Sequence, residues 1–152
     1  MDVSNREKSI WIELFVSIGV AIYYFTNVFS AGGFNDIISA EVGKVIINAI
    51  LISIAASIIL SIIFKQKDPE AKDERDKAIE ARANAYAYYA LTFLIVSIII
   101  HIMINEGAGY FFNEDVLRVS NAQTMHFILI ALIIAGAVKS VTQLFCYRRG
   151  LS

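Results

Sequence analysis

Apolar residues in this chain do not alternate with polar ones at a strand or amphipathic-helix period; they come in four long blocks. Ile10 to Phe29 is interrupted only by Glu13, and Val45 to Phe64 carries no charge. Ala83 to Ile104 carries none beyond what His101 holds, and Met125 to Leu144 contains Lys139. A helix needs about 20 apolar residues to cross about 30 Å of hydrocarbon, and each block has that length. The pattern predicts four transmembrane helices over residues 10–29, 45–64, 83–104 and 125–144, an all-α polytopic fold. Barrel strands would show short alternating segments instead of continuous runs.

Composition sharpens this picture. The chain is 57% hydrophobic with a mean hydropathy of +0.62, more apolar surface than a soluble domain of 152 residues buries, so a lipid bilayer is its expected partner. The small residues in "VFSA" (28–31) resemble a cleavage site. The apolar core before them is longer than a signal peptide needs and holds Glu13, so a retained span is expected. Cys146 is the single cysteine, which excludes an intrachain disulfide and a thiol-rich metal cage.

Lysine and arginine fall unevenly. Arg6 and Lys8 precede the first block, and Lys65, Lys67, Lys72, Arg75, Lys77 and Arg82 lie between the second and third. Arg148 and Arg149 follow the fourth, whereas the other two loops hold only Lys44 and Arg118. The positive-inside rule then places both termini and the middle loop in the cytoplasm. Nucleic acid is not an expected partner: the formal net charge is −1, acids are interspersed with the bases, and no basic-aromatic patch occurs.

The middle loop runs into the third span through "KDERDKAIEARANAYAYYAL" (72–91). Asp68 is a candidate N-cap with Pro69 at the first helical position and Glu70 beside the positive end of the dipole. Nothing from Pro69 to Ile104 breaks a helix, which at 1.5 Å per residue is about 54 Å long and outruns the hydrocarbon. Its first turns are expected to extend into the cytoplasm, with Tyr86, Tyr88 and Tyr89 as an aromatic belt. Helical spacing puts Arg75, Ile79, Arg82 and Tyr86 on one face. That face is either a solvated extension with snorkelling arginines or a docking surface for a cytoplasmic protein or anionic headgroups.

Two halves of the chain echo each other. "REKSI" (6–10) before the first span resembles "RDKAI" (75–79) before the third; "GGFNDII" (32–38) and "GAGYFFNEDVL" (107–117) each read as a glycine-aromatic-Asn-acid turn; "IIFKQK" and "QLFCYRR" close the second and fourth spans. Two tandem hairpins follow, 1–67 and 68–152, related by a pseudo-twofold along the membrane normal. Ala49, Ser53, Ser57 and Ser61 recur every fourth residue in the second span. With Ala131, Ala135 and Gly136 in the fourth they suit close helix packing, while serine hydroxyls also suit an aqueous path.

Polar groups inside apolar spans are costly and therefore informative. Glu13 and Lys139 fall at similar depths, where they either pair or snorkel to headgroups. His101 and His126 lie toward the opposite ends of the third and fourth spans. Two facing histidines are the geometry of a haem or metal site, but without a carboxylate cluster they read first as interfacial side chains, and no cofactor is expected. No P-loop, dinucleotide fingerprint or nucleophile-base set occurs, so no enzymatic activity is expected.

"DERDKAIEARA" (73–83) resembles the juxtamembrane signature of an uncharacterised family of small multi-pass prokaryotic membrane proteins, whose genes often adjoin a small helix-turn-helix regulator. The resemblance implies a place in the inner membrane of a prokaryotic cell and a regulatory partnership, and supplies no catalytic residues. The leading expectation is a regulatory or sensory membrane subunit that contacts a cytoplasmic regulatory protein through the charged helix 69–83. The alternative is a small oligomeric channel or transporter, and a haem-binding redox protein comes third. A homo-oligomer is expected.

Overall fold

Each apolar block sits inside a longer helix. The computed structural model describes residues 5–30, 40–65, 73–112 and 121–150, and these form α1 (Asn5–Ser30), α2 (Ala40–Lys65), α3 (Glu74–Phe112) and α4 (Asn121–Arg149). All four helices are long and apolar enough to cross a membrane. Large apolar side chains cover their outer faces, with Phe93 71% and Met103 68% exposed. Such a surface fits a membrane protein, since soluble monomers rarely expose apolar patches of this extent.

Local chemistry sets the helix ends. The Asp73 carboxylate accepts a hydrogen bond from the Glu74 amide at 2.7 Å, and its carbonyl accepts the first helical bond from the Lys77 amide at 3.1 Å. Asp73 thus performs the capping that α3 needs. Asp68, Pro69 and Glu70, the expected helix start, lie outside the described residues. At its far end α3 continues through Gly107 to Phe112, where the sequence pattern predicted a turn beginning at Gly107. A helical glycine costs about 1 kcal/mol relative to alanine, but extending a formed helix adds one hydrogen bond per residue with no nucleation penalty. The 39 residues of α3 make a rod about 58 Å long. Gly150, at φ 65°, occupies the left-handed position just beyond the last turn of α4, where a side chain is strained. Arg148 and Arg149 occupy that last turn, favourably placed at the negative end of the dipole.

The helices form a row in the order α2, α1, α4, α3: α1 packs against α2 and α4, and α3 against α4. Cross-contacts fix their directions. Glu7 meets Arg148 and Tyr24 meets His126, so α1 and α4 are antiparallel. Tyr147 meets Asp76 and His101 meets Phe127, so α3 is antiparallel to α4 and parallel to α1. One buried cluster, Val20, Tyr24, Val28 and Ala49, joins α1 to α2, with Leu129, Ile130 and Ile133 of α4 against it. A second, Ile10, Leu14 and Leu144, joins α1 to α4 near the charged end. Ala131, Ala135 and Ser140 are buried along α4, small side chains that let neighbouring helices approach.

The serine stripe of α2 is buried only at Ala49. Ser53 and Ser57 line an open groove of about 390 Å³ with Ser17 of α1 and Gly136 of α4. The Ser57 hydroxyl donates back to the Ser53 carbonyl at 2.8 Å, so it spends its proton within its own helix. The Ser61 side chain lies outside the described residues.

Candidate functional site: a polar chamber at the charged end

Three helices contribute polar side chains at helical spacing to one space. From α1 come Arg6, Ser9 and Glu13; from α3, Asp76 and Glu80; from α4, Lys139, Gln143 and Tyr147. Residues three or four apart share a helix face, so each set is a stripe one to two turns long. Together with Ile10 they line a chamber of about 220 Å³.

Asp76 ties the three stripes together. One carboxylate oxygen is bonded by the Arg6 guanidinium, and the other accepts the Tyr147 hydroxyl at 2.7 Å. The Asp76 and Arg6 side chains are 19% and 25% exposed, and charge-assisted bonds shielded to that degree are stronger than neutral ones. A looser pair flanks them: Arg148 Nε lies 3.5 Å from Glu7 Oε1, with the Arg148 guanidinium 5.3 Å from the Trp11 ring centroid. Arg149 sits similarly over Phe145 at 4.5 Å.

The charged start of α3 is therefore docked on its neighbours. Ile79 is 1% exposed and Ala83 is fully buried. Of the face expected to meet a partner, Arg75, Arg82 and Tyr86 are exposed, whereas Ile79 faces inward. Arg82 and Tyr86 line a shallow groove of about 330 Å³ with Val141, Thr142, Phe145 and Cys146 of α4.

Glu13 and Lys139 both line the chamber, but among the described residues neither forms an ion pair. Gln143, one turn beyond Lys139, is 9% exposed, and its amide has no hydrogen bond to the protein among the described residues. Beside the Arg6–Asp76 pair and Glu80, the chamber thus presents the Lys139 ammonium, the Glu13 carboxylate and the Gln143 amide to whatever fills it.

The two histidines point to different neighbours. His126 is fully buried and shares a hydrogen bond through Nδ1 with the Tyr24 hydroxyl of α1. His101 is exposed, with Nε2 3.1 Å from Asn105 Nδ2, and meets the Phe127 ring edge-on at 5.9 Å. Among the described residues no three His, Cys, Asp or Glu side chains converge as metal ligands.

Sequence reasoning found Glu13 and Lys139 but passed over Asp76, Arg6, Gln143 and Tyr147. Part of the signal was present: Lys139, Gln143 and Tyr147 recur every fourth residue in an otherwise apolar helix. Fold and site together define a four-helix protein of membrane-spanning proportions with an ion-paired end. Compared with protein-family models, with curated proteins and with solved structures, the chain matches none.

Proposed function

We propose that this chain is an inner-membrane protein of four spans, arranged as two tandem hairpins with both termini cytoplasmic, and that it acts as a regulatory or sensory subunit without enzymatic activity. It contacts a cytoplasmic protein through Arg75, Arg82 and Tyr86. The observation that carries this reading is the exposure of those side chains on a helix end that Asp76 pins to α1 and α4. A partner bound there pulls on three helices at once. Charge distribution supports the orientation: Arg6, Lys8, Arg75, Lys77, Arg82, Arg148 and Arg149 gather at one end of the described helices, while Lys44 lies toward the other. The resemblance of "DERDKAIEARA" to family members beside small regulators points the same way. Ile79 leaves the contact face and becomes its buried anchor.

Reversal of Arg75 and Arg82 to Glu tests the reading. Insertion persists because the apolar spans are untouched, and orientation is checked with reporter fusions: cytoplasmic after Lys67 and Arg149, external after Asp36 and Asn113. Co-purification of a cytoplasmic partner from native membranes then falls sharply. Partner capture undiminished in the correctly oriented double variant sinks the docking surface. The polar chamber favours a second reading, a small oligomeric channel or transporter with Glu13 and Lys139 near its path. A solute flux that survives the Arg75 and Arg82 reversals but is lost in Lys139→Met would establish it.

A further inference from the structure

Opposite charges that face one space without meeting leave room for a guest that carries both. We propose that the chamber between α1, α3 and α4 binds a zwitterion, a molecule with an ammonium group and an acidic group a few ångströms apart. Glu13 and Lys139 stand on different helices around the chamber and neither has an ion-pair partner among the described residues. Asp76 does not compete for the guest, because Arg6 and Tyr147 engage both its oxygens. An isolated cation entering the chamber is repelled by Lys139 and an isolated anion by Glu13. A guest with its ammonium toward Glu13 and its acidic group toward Lys139 satisfies both.

Gln143 supplies the independent indication. It is 9% exposed, lines the chamber, and its amide, which both donates and accepts, has no hydrogen-bond partner among the described residues. Either half of a zwitterion answers it. The volume of about 220 Å³ is below the usual range of drug-sized pockets and suits a headgroup or a small amino acid. The same chemistry comes from two sources, the phosphoethanolamine headgroup of a bilayer lipid and a free amino acid. The inference stands apart from the cytoplasmic partner, since binding is read on the isolated chain.

The test uses the full chain in micelles of dodecyl maltoside, an uncharged detergent, titrated calorimetrically with phosphoethanolamine, glycine, ethanolamine and inorganic phosphate. The two zwitterions bind and the single-charge controls do not. Loss of one charge-assisted contact weakens binding about tenfold or more, so Glu13→Gln and Lys139→Met each abolish the measured heat at the same concentrations. Gln143→Leu, which keeps the bulk, weakens binding while the melting temperature holds, and Lys44→Met leaves it unchanged. Nanodiscs containing phosphatidylethanolamine separate the sources. A headgroup occupant is retained in native mass spectrometry and blocks the free zwitterions, whereas a free-solute site titrates with glycine as before. The proposal is overturned if neither zwitterion nor phosphatidylethanolamine binds, which leaves a water-filled chamber, or if ethanolamine alone binds as well as phosphoethanolamine, which leaves a plain cation site.

Discussion

Asp76 shows how much one side chain in a charged run depends on what lies beside it. Within "DERDKAIE" it is one acid among several, yet it accepts from both Arg6 and Tyr147. Its two bonds are partly shielded from water, whereas Arg148 opposite Glu7 is 65% exposed, and exposed pairs contribute about 0–1 kcal/mol. A double-mutant cycle over Arg6→Met and Asp76→Asn, read by melting in detergent, is expected to give a coupling of about 1–3 kcal/mol, and the Glu7–Arg148 cycle less than about 0.5 kcal/mol. Equal couplings would mean that Asp76 is no more than another surface acid. Spacing alone placed Ile79 beside Arg75 and Arg82 and so on their exposed face. Around Ile79 the helix is charged, and one large apolar residue among charges makes no repeating stripe that says which side a neighbour covers. The burial of Ile79 is set by α4 lying alongside, which no local pattern announces.

At the level of elements the sequence is far more legible, because membrane-spanning length is a property of one segment alone. All four apolar blocks, including Val45 to Phe64, lie inside helices. The departures are at the ends, where capping and glycine compete with helix extension. Gly107 illustrates the competition: it looked like the start of a turn and is the fourth residue after Met103 in an unbroken α3. A Cβ built there meets nothing within 4 Å, so Gly107→Ala is expected to stabilise the protein by up to about 1 kcal/mol through helix propensity. Thermal melting of that variant checks it, and a marked loss of stability would restore the turn.

For the whole molecule, the row α2, α1, α4, α3 makes the helices unequal. The two in the middle have neighbours on both sides, whereas among the described residues α2 packs chiefly on α1, with α4 touching their shared cluster. Its attachment centres on Ala49, which is 3% exposed in the cluster with Val20, Tyr24 and Val28. Ala49→Leu adds bulk at the buried contact between α1 and α2, at a cost of about 1–3 kcal/mol. Hydrogen exchange in α2 is expected to rise while α3 and the chamber residues keep their protection. Uniform loss of protection would show that the four helices unfold as one unit. This order in space could not be read from the chain, since consecutive helices need not be the only neighbours and the α1–α4 contact spans almost the whole sequence.

The unbroken length of α3 has a geometric consequence. Each residue turns a helix by about 100°, so the azimuth of Arg75 and Arg82 is locked in phase to that of His101 and Asn105. Between the charged face and the far end runs a drive shaft without a joint. Inserting one alanine between Tyr89 and Ala90 would carry the arginines about 100° around the axis while the apolar length barely changed, and restoring their bearing would take a full turn of added residues.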